Sequence, residues 1–248
     1  MPYADYIVNL AGASVSGGKW TDERKHDIMG SRLGGLALLH RELAKPGHHV
    51  QAVISASAIG VYGDTGAQLL TEKSSAGLPT HDFLADVAHQ WELAAAPVAA
   101  LGIRTVVPRI GVVLSTAGGA LPQIAKPVKL GAGAALGSGK QFMSWIHLDD
   151  ICRLFMAMLD DTSWEGTYNA VAPHPVTNEE FTKELAQVLH RPLLLPKVPA
   201  FGLKLAMGEM SEIVLASQNV SAAKVLAQGF NYEFPELHGA LVALYAGA

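Results

Sequence analysis

The feature that most constrains this chain is an alternation of two periods. Short, mostly apolar runs stand at IVNL (7–10), VQAVISAS (50–57), IRTVVPRIGVVL (103–114) and GTYNAVA (166–172). Between them lie long segments with helical spacing at 21–43, 80–102 and 148–161. In the first of these, Leu33, Leu36, Leu39 and Leu43 recur on one face, Thr21 is placed to cap, and Lys45-Pro46-Gly47 ends the run. Pro97 marks a kink or an end in the second. Near-continuous apolar strands are those covered on both faces. Strand–helix–strand order implies right-handed crossovers and a parallel sheet. The fold class is therefore α/β, a doubly wound parallel sheet with a smaller second lobe towards the C-terminus.

Composition narrows the function classes. Half of the 248 residues are hydrophobic and 16% are charged, enough for a buried core. A net charge of −4 gives no sign of nucleic-acid binding. No run approaches the length of a membrane span. The single cysteine, Cys152, excludes an intrachain disulfide and suits a reducing compartment, so a cytoplasmic location is expected. His147, Asp149 and Asp150 cluster in WIHLDD, but a metal site needs further converging ligands, and no metal is expected. The two aspartates read as helix N-terminal acids favoured by the macrodipole. Thr177 and Glu180 form a capping box.

Several pieces, read in order, carry a resemblance: NLAG (9–12), RKHDIMGSR (24–32), SASAIGVYG (55–63), QWELAAA (90–96), PRIGVVL (108–114), GSGKQFMSWIHLDDI (137–151), GTYNAVAPHPVTNEEF (166–181) and GFNYEFPEL (229–237). Together they resemble the extended short-chain dehydrogenase/reductases of the NAD-dependent epimerase/dehydratase family, in its epimerase-like branch. The resemblance implies a Rossmann-type sheet over 1–117 and 145–172, and a substrate-binding lobe over 118–144 and 173–248. It also implies an NADP(H)-dependent oxidoreductase acting on a small molecule.

The same resemblance implies the site. The turn Asn9, Leu10, Ala11 and Gly12 lies against the cofactor; read alone, it is equally a tight turn that needs small residues. Arg32 either faces the cofactor, where its planar fork suits phosphate or ribose oxygens, or is a solvated helix arginine. Ser57 is the candidate catalytic hydroxyl, against the plain reading of a satisfied strand-end residue. Arg109 reaches a phosphate, closes an ion pair between lobes, or pairs an acid at its strand end. Val113 passes the nicotinamide.

Two departures stand out. The family's Tyr-x-x-x-Lys pair falls on Leu84 and Ala88, neither of which moves a proton. Tyr62 is the nearby tyrosine and is normally structural, while Asp86 and His89 are either substitutes or solvent-facing. In addition, NLAG belongs mid-sheet, yet only MPYAD precedes Tyr6, and no G-x-G-x-x-G occurs. The chain is thus expected to lack the first βαβ half and its phosphate loop, with NADP(H) binding weak or lost. Residues 6–10 are expected to pair with 50–57 on one side and to present a bare edge, inviting homo-oligomers, on the other. A non-catalytic regulatory or interaction protein on the same scaffold is the alternative reading.

Overall fold

Neighbouring residues Val53 and Ile54 enter two different cores, one on each face of the central sheet. That alternation is what a parallel strand covered on both faces requires. The computed structural model describes residues 4–74 and 82–246. The chain runs β1 (Tyr6–Asn9), α1 (Asp22–Leu43), β2 (Ala52–Ser55), β3 (Ser57–Ala58), a 3-10 turn (Ile59–Tyr62), β4 (Leu69–Leu70), α2 (Phe83–Ala99), β5 (Arg104–Ile110), β6 (Val112–Leu114) and α3 (Ala120–Lys129). It continues through β7 (Phe142–Met143), β8 (Trp145–His147), α4 (Leu148–Asp160), β9 (Gly166–Ala170), β10 (Val176–Thr177), α5 (Asn178–Val188), α6 (Ala200–Met207), α7 (Glu212–Leu215), β11 (Asn219–Val220), α8 (Ala223–Ala227) and α9 (Leu237–Tyr245).

The expected parallel sheet is present. β1 pairs with β2, and β2 and its continuation β3 pair with β5, which pairs with β9. Helices α1 and α2 cover one face, where Leu36 and Leu43 meet Trp91, Ala95 and Val98. Helix α4 covers the other, with Leu154 and Met158 against Ile54 and Val106. It does not cover β1, whose Tyr6 and Val8 are 44% and 42% exposed. The register Tyr6↔Ala52 to Asn9↔Ser55 fills one edge of β1, and no described residue pairs with the other. A third core gathers α3, α5 and α9 around Trp145, Phe181 and Leu241. No described helix is long and apolar enough to cross a membrane.

Local chemistry sets the element ends. Thr21 Oγ1 accepts from Arg24 N at 3.2 Å to start α1. The second helix, expected over 80–102, is observed from Phe83; residues 80 and 81 lie outside the described residues. Asp82 caps it by accepting from the N–H groups of Leu84 and Ala85. Pro97 sits inside its final turn rather than ending it. The expected strand 103–114 is two strands, broken at Gly111. A β-carbon there would lie 2.6 Å from the Ser144 carbonyl oxygen, so only glycine lets the two backbones approach. The capping box at Thr177 and Glu180 is formed.

Asp149 and Asp150 stand in the first turn of α4, as expected. Asp150 is in addition fully buried, and its carboxylate pins the chain at residues 233 and 234. Oδ1 accepts from Glu233 N at 2.8 Å and from Arg153 Nη1 at 2.9 Å; Oδ2 accepts from Phe234 N at 2.9 Å. Beside it, buried His147 stacks on Phe234 with ring centroids 4.0 Å apart. Its Nδ1 accepts from Asp149 N at 3.1 Å, capping α4. Burial lowers the His147 pKa, against the opposing pull of Asp149, Asp150 and Glu233. The folded form therefore holds fewer protons on this ring than the unfolded chain. Its contribution to stability is present above the unfolded value and fades as pH falls below about 6.5. Melting temperature measured between neutral and mildly acidic pH is expected to fall more steeply in the wild type than in His147→Asn, which keeps a capping acceptor but does not titrate.

Candidate functional site

In an open α/β sheet, ligands collect at the carboxyl ends of the strands. The turn leaving β1 stands there, and its shape is set by Asn9. The buried Asn9 side chain donates through Nδ2 to Ser55 Oγ at 3.3 Å and accepts from Ala11 N through Oδ1 at 3.3 Å. Helix α1 holds the far end of the turn. Ala13 N donates to Ser31 Oγ at 2.9 Å, and Arg32 Nη1 donates to the carbonyls of Ala13 at 3.1 Å and Ile28 at 2.8 Å. The guanidinium lies 4.9 Å from the Trp91 ring centroid. It also occupies the space a Gly12 side chain would need, since a β-carbon there would sit 2.9 Å from Arg32 Cζ. Burial lowers the Arg32 pKa. Arg32 is thus a clamp on the turn, while Leu10, Ala11 and Gly12 are exposed.

One turn of sheet further in lies a buried network. Arg109, near the end of β5, donates to Glu92 of α2 through Nε at 2.8 Å and Nη2 at 2.7 Å, and to the Tyr62 hydroxyl through Nη1 at 2.8 Å. Tyr62 in turn donates to Asn169 Oδ1 at 2.7 Å. Ser57 Oγ donates to Glu92 Oε1 at 2.7 Å. The Glu92 carboxylate and the tyrosine raise the Arg109 pKa against the effect of its burial, so the arginine stays charged. Burial raises that of Tyr62, keeping the phenol neutral and able to donate. Such a two-pronged pair is strong because both bonds are charge-assisted. Of the readings open for Arg109, the structure displays pairing with an acid on the adjacent helix. Glu92, Tyr62 and Asn169 had no spacing pattern that marked them as a unit.

The remaining site residues are placed as follows. Val113 is half-buried in β6, opposite Ile146 in the ladder with β8. Leu84 packs over Gly60, and Ala88 is buried, so the positions of the missing tyrosine and lysine are apolar in space as well as in sequence. Asp86 and His89 are half-buried on α2. Lys25, in the first turn of α1, pairs with Glu209 and lies 5.3 Å from the Phe83 ring centroid, which brings the 208–211 turn to the same end of the sheet. The glycines Gly60, Gly63 and Gly66 fall at the G-x-x-G-x-x-G spacing of a phosphate loop. They occupy the 3-10 turn and the loop to β4, with no long helix opening behind them. Among the described residues no cluster of three or more His, Cys, Asp or Glu is arranged to hold a metal.

Removing one partner of a buried ion pair leaves the other uncompensated. Arg109→Met is expected to cost about 3 kcal/mol of unfolding free energy, measured by urea denaturation. Arg109→Met combined with Glu92→Leu is expected to recover part of that loss, because the orphaned carboxylate is gone.

Comparison with known proteins agrees with this architecture. Residues 3–170 match the family model described as the NAD dependent epimerase/dehydratase family, and residues 198–244 match a domain of unknown function, DUF1731. The epimerase family protein YfhF of Bacillus subtilis is 37% identical over 246 residues, which are 99% of this chain and 80% of that protein. A Staphylococcus saprophyticus epimerase family protein is 38% identical over 97% of this chain and 80% of its own length. Among solved structures, the human epimerase family protein SDR39U1 (isoform 2) with NADPH superposes with a TM-score of 0.92 at 30% identity, covering 100% of this chain and 84% of that one. Thermus thermophilus UDP-glucose 4-epimerase, at 17% identity and a TM-score of 0.72, shares the fold over 98% of this chain and 78% of its own. With its parallel sheet, its strand-end turn and a family match across two-thirds of its length, the chain belongs to the NAD-dependent epimerase/dehydratase family.

Proposed function

We propose that this chain is an epimerase-like oxidoreductase scaffold that receives NADP(H) at the carboxyl end of its sheet, next to a small-molecule substrate. The observation that carries the reading is the exposed Leu10–Gly12 turn, fixed by Asn9 and clamped by Arg32 at the strand ends where such sheets take ligands. The human neighbour determined with NADPH supports the choice of cofactor. The residues fit only part of a dinucleotide. Small residues at Ala11 and Gly12 admit a flat ring, and Val113 offers an apolar flank, but among the described residues no glycine loop opens a long helix to hold a pyrophosphate. When bound, the nicotinamide supplies hydride chemistry.

In this reading Asn9, Leu10, Ala11, Gly12 and Val113 form the nicotinamide wall, while Arg32 holds the backbone of the turn and Arg109 ties β5 to α2 through Glu92. Ser57 donates its proton to Glu92, which leaves its oxygen as an acceptor for a substrate hydroxyl. The sheet region, 1–117 and 145–172, carries the cofactor; 118–144 and 173–248 form the substrate lobe. The setting is cytoplasmic. The second reading, a non-catalytic interaction protein, is favoured by apolar Leu84 and Ala88 at the proton-relay positions.

Two measurements test these readings. Calorimetric titration of the 248-residue chain with NADPH is expected to give binding weaker than about 1 μM, since no described loop offers backbone amides to a pyrophosphate at a helix start. Submicromolar affinity would overturn the weak-binding proposal. The bare edge of β1, with Tyr6, Val8 and Leu10 all exposed and no lysine or proline in the strand, favours self-association. Sedimentation velocity is expected to show concentration-dependent oligomers that Val8→Lys diminishes; a concentrated wild-type monomer would contradict it.

A further inference from the structure

Away from the strand ends, a groove of about 370 Å³ runs between α3 and the end of α9. Its floor is apolar, with buried Ala125 and partly buried Pro122, and Leu130 stands beside it, 75% exposed. Its rim is cationic. Lys126 and Lys129 lie one turn apart on α3, and the Lys129 ammonium sits 4.9 Å from the Tyr245 ring centroid. Lysines in a last helical turn are favoured by the helix dipole, which explains their presence without a ligand. It does not explain the rest. Neither lysine has a described carboxylate within ion-pair distance, and both border the same apolar floor. Burial raises the pKa of the Tyr245 hydroxyl, so it remains a neutral donor at the same rim.

An apolar floor, two cations with no carboxylate partner among the described residues, and a phenol donor select one kind of guest. The volume is at the low end of the range for small-molecule sites, roughly 300–1,000 Å³. We propose that this groove binds a small organic anion with an apolar body: the body lies over Ala125, Pro122 and Leu130, and the anionic head sits between Lys126 and Lys129. A purely inorganic anion leaves the apolar floor wet, and an uncharged hydrocarbon leaves both ammonium groups unpaired, so each is a poorer match. The groove shares no residue with the strand-end site.

The test is a titration of the isotope-labelled chain followed by amide nitrogen–proton correlation NMR. The probes are 4-phenylbutanoate, its uncharged amide, and inorganic phosphate. Saturable shifts at Thr116, Lys126, Lys129, Leu130 and Tyr245 are expected with the carboxylate. The amide and the phosphate are each expected to bind about fivefold more weakly, the scale of one exposed charge-assisted contact. Lys126→Ala with Lys129→Ala is expected to weaken the carboxylate about tenfold, two such contacts being lost, while amides elsewhere keep their positions. Leu130→Ser provides a second variant that tests the apolar floor and keeps both charges; it too is expected to weaken the carboxylate. No shift at these amides overturns the proposal, as does equal binding of the uncharged amide or undiminished binding by the double variant. NADPH titration is expected to be the same in wild type and variants, which separates failure of this site from failure of the cofactor reading.

Discussion

The interaction on which the rest of this structure depends is the pairing of Arg109 with Glu92. It fastens α2 to the end of β5 through two bonds of 2.7 and 2.8 Å, and it extends to Ser57 on β3 and, through Tyr62, to Asn169 on β9. Three strands, the 59–62 turn and a helix therefore meet on one buried charge pair. Their carboxyl ends are held in fixed relation as a result, and the candidate site is built from those ends. A buried pair is weak evidence for added stability, since the cost of desolvating it offsets much of the attraction. What it does supply is direction: a planar fork accepts a carboxylate in one geometry only. A core of valine and alanine alone tolerates small slips between strand and helix.

The turn at Asn9–Gly12 shows the same logic with smaller groups. An asparagine folds its side chain back on the chain, a serine on the next strand fixes that side chain, and an arginine from the first helix closes the far end. The exposed residues between, Leu10, Ala11 and Gly12, carry no side-chain polar groups. The chemistry offered to a ligand at this turn is backbone and space, which suits a flat ring and supplies no proton. The neighbouring helix repeats the pattern, since Leu84 and Ala88 place carbon where a proton relay would need oxygen and nitrogen. In the proposed reading the turn keeps its place beside a cofactor, while the positions expected for the acid–base pair are apolar.

Much of the fold was legible because its signals are local. Apolar runs separated by helical periods, the Thr21 cap and the capping box at Thr177 each depend on residues within a turn or two of one another. The region from 118 to 139 was harder, because its glycines, alanines and prolines suit several local structures; it folds α3, with Pro122 in its first turn and Pro127 near its end. The second role of Asp150, beyond its place in the first turn of α4, was hidden for a different reason. Two acids at the start of a helix look alike in sequence, and only one of them meets the backbone of residues 233 and 234, more than eighty positions away. Glu92 was likewise silent, because its partners Ser57 and Arg109 come from two separate segments.

The sequence by itself determined the strand and helix order, the parallel sheet, the family and the identity of the residues at the strand ends. These follow from period, caps and ordered motifs, all of which are properties of short stretches. Tertiary structure alone decided what those residues do to one another. Arg32 became a clamp on its own loop, Arg109 half of a buried pair, Ser57 a donor to Glu92 and Asp150 an anchor for a distant segment. The physical reason is that a polar side chain taken out of water must find a partner. Which partner it finds is set by the packing of elements far apart in the chain.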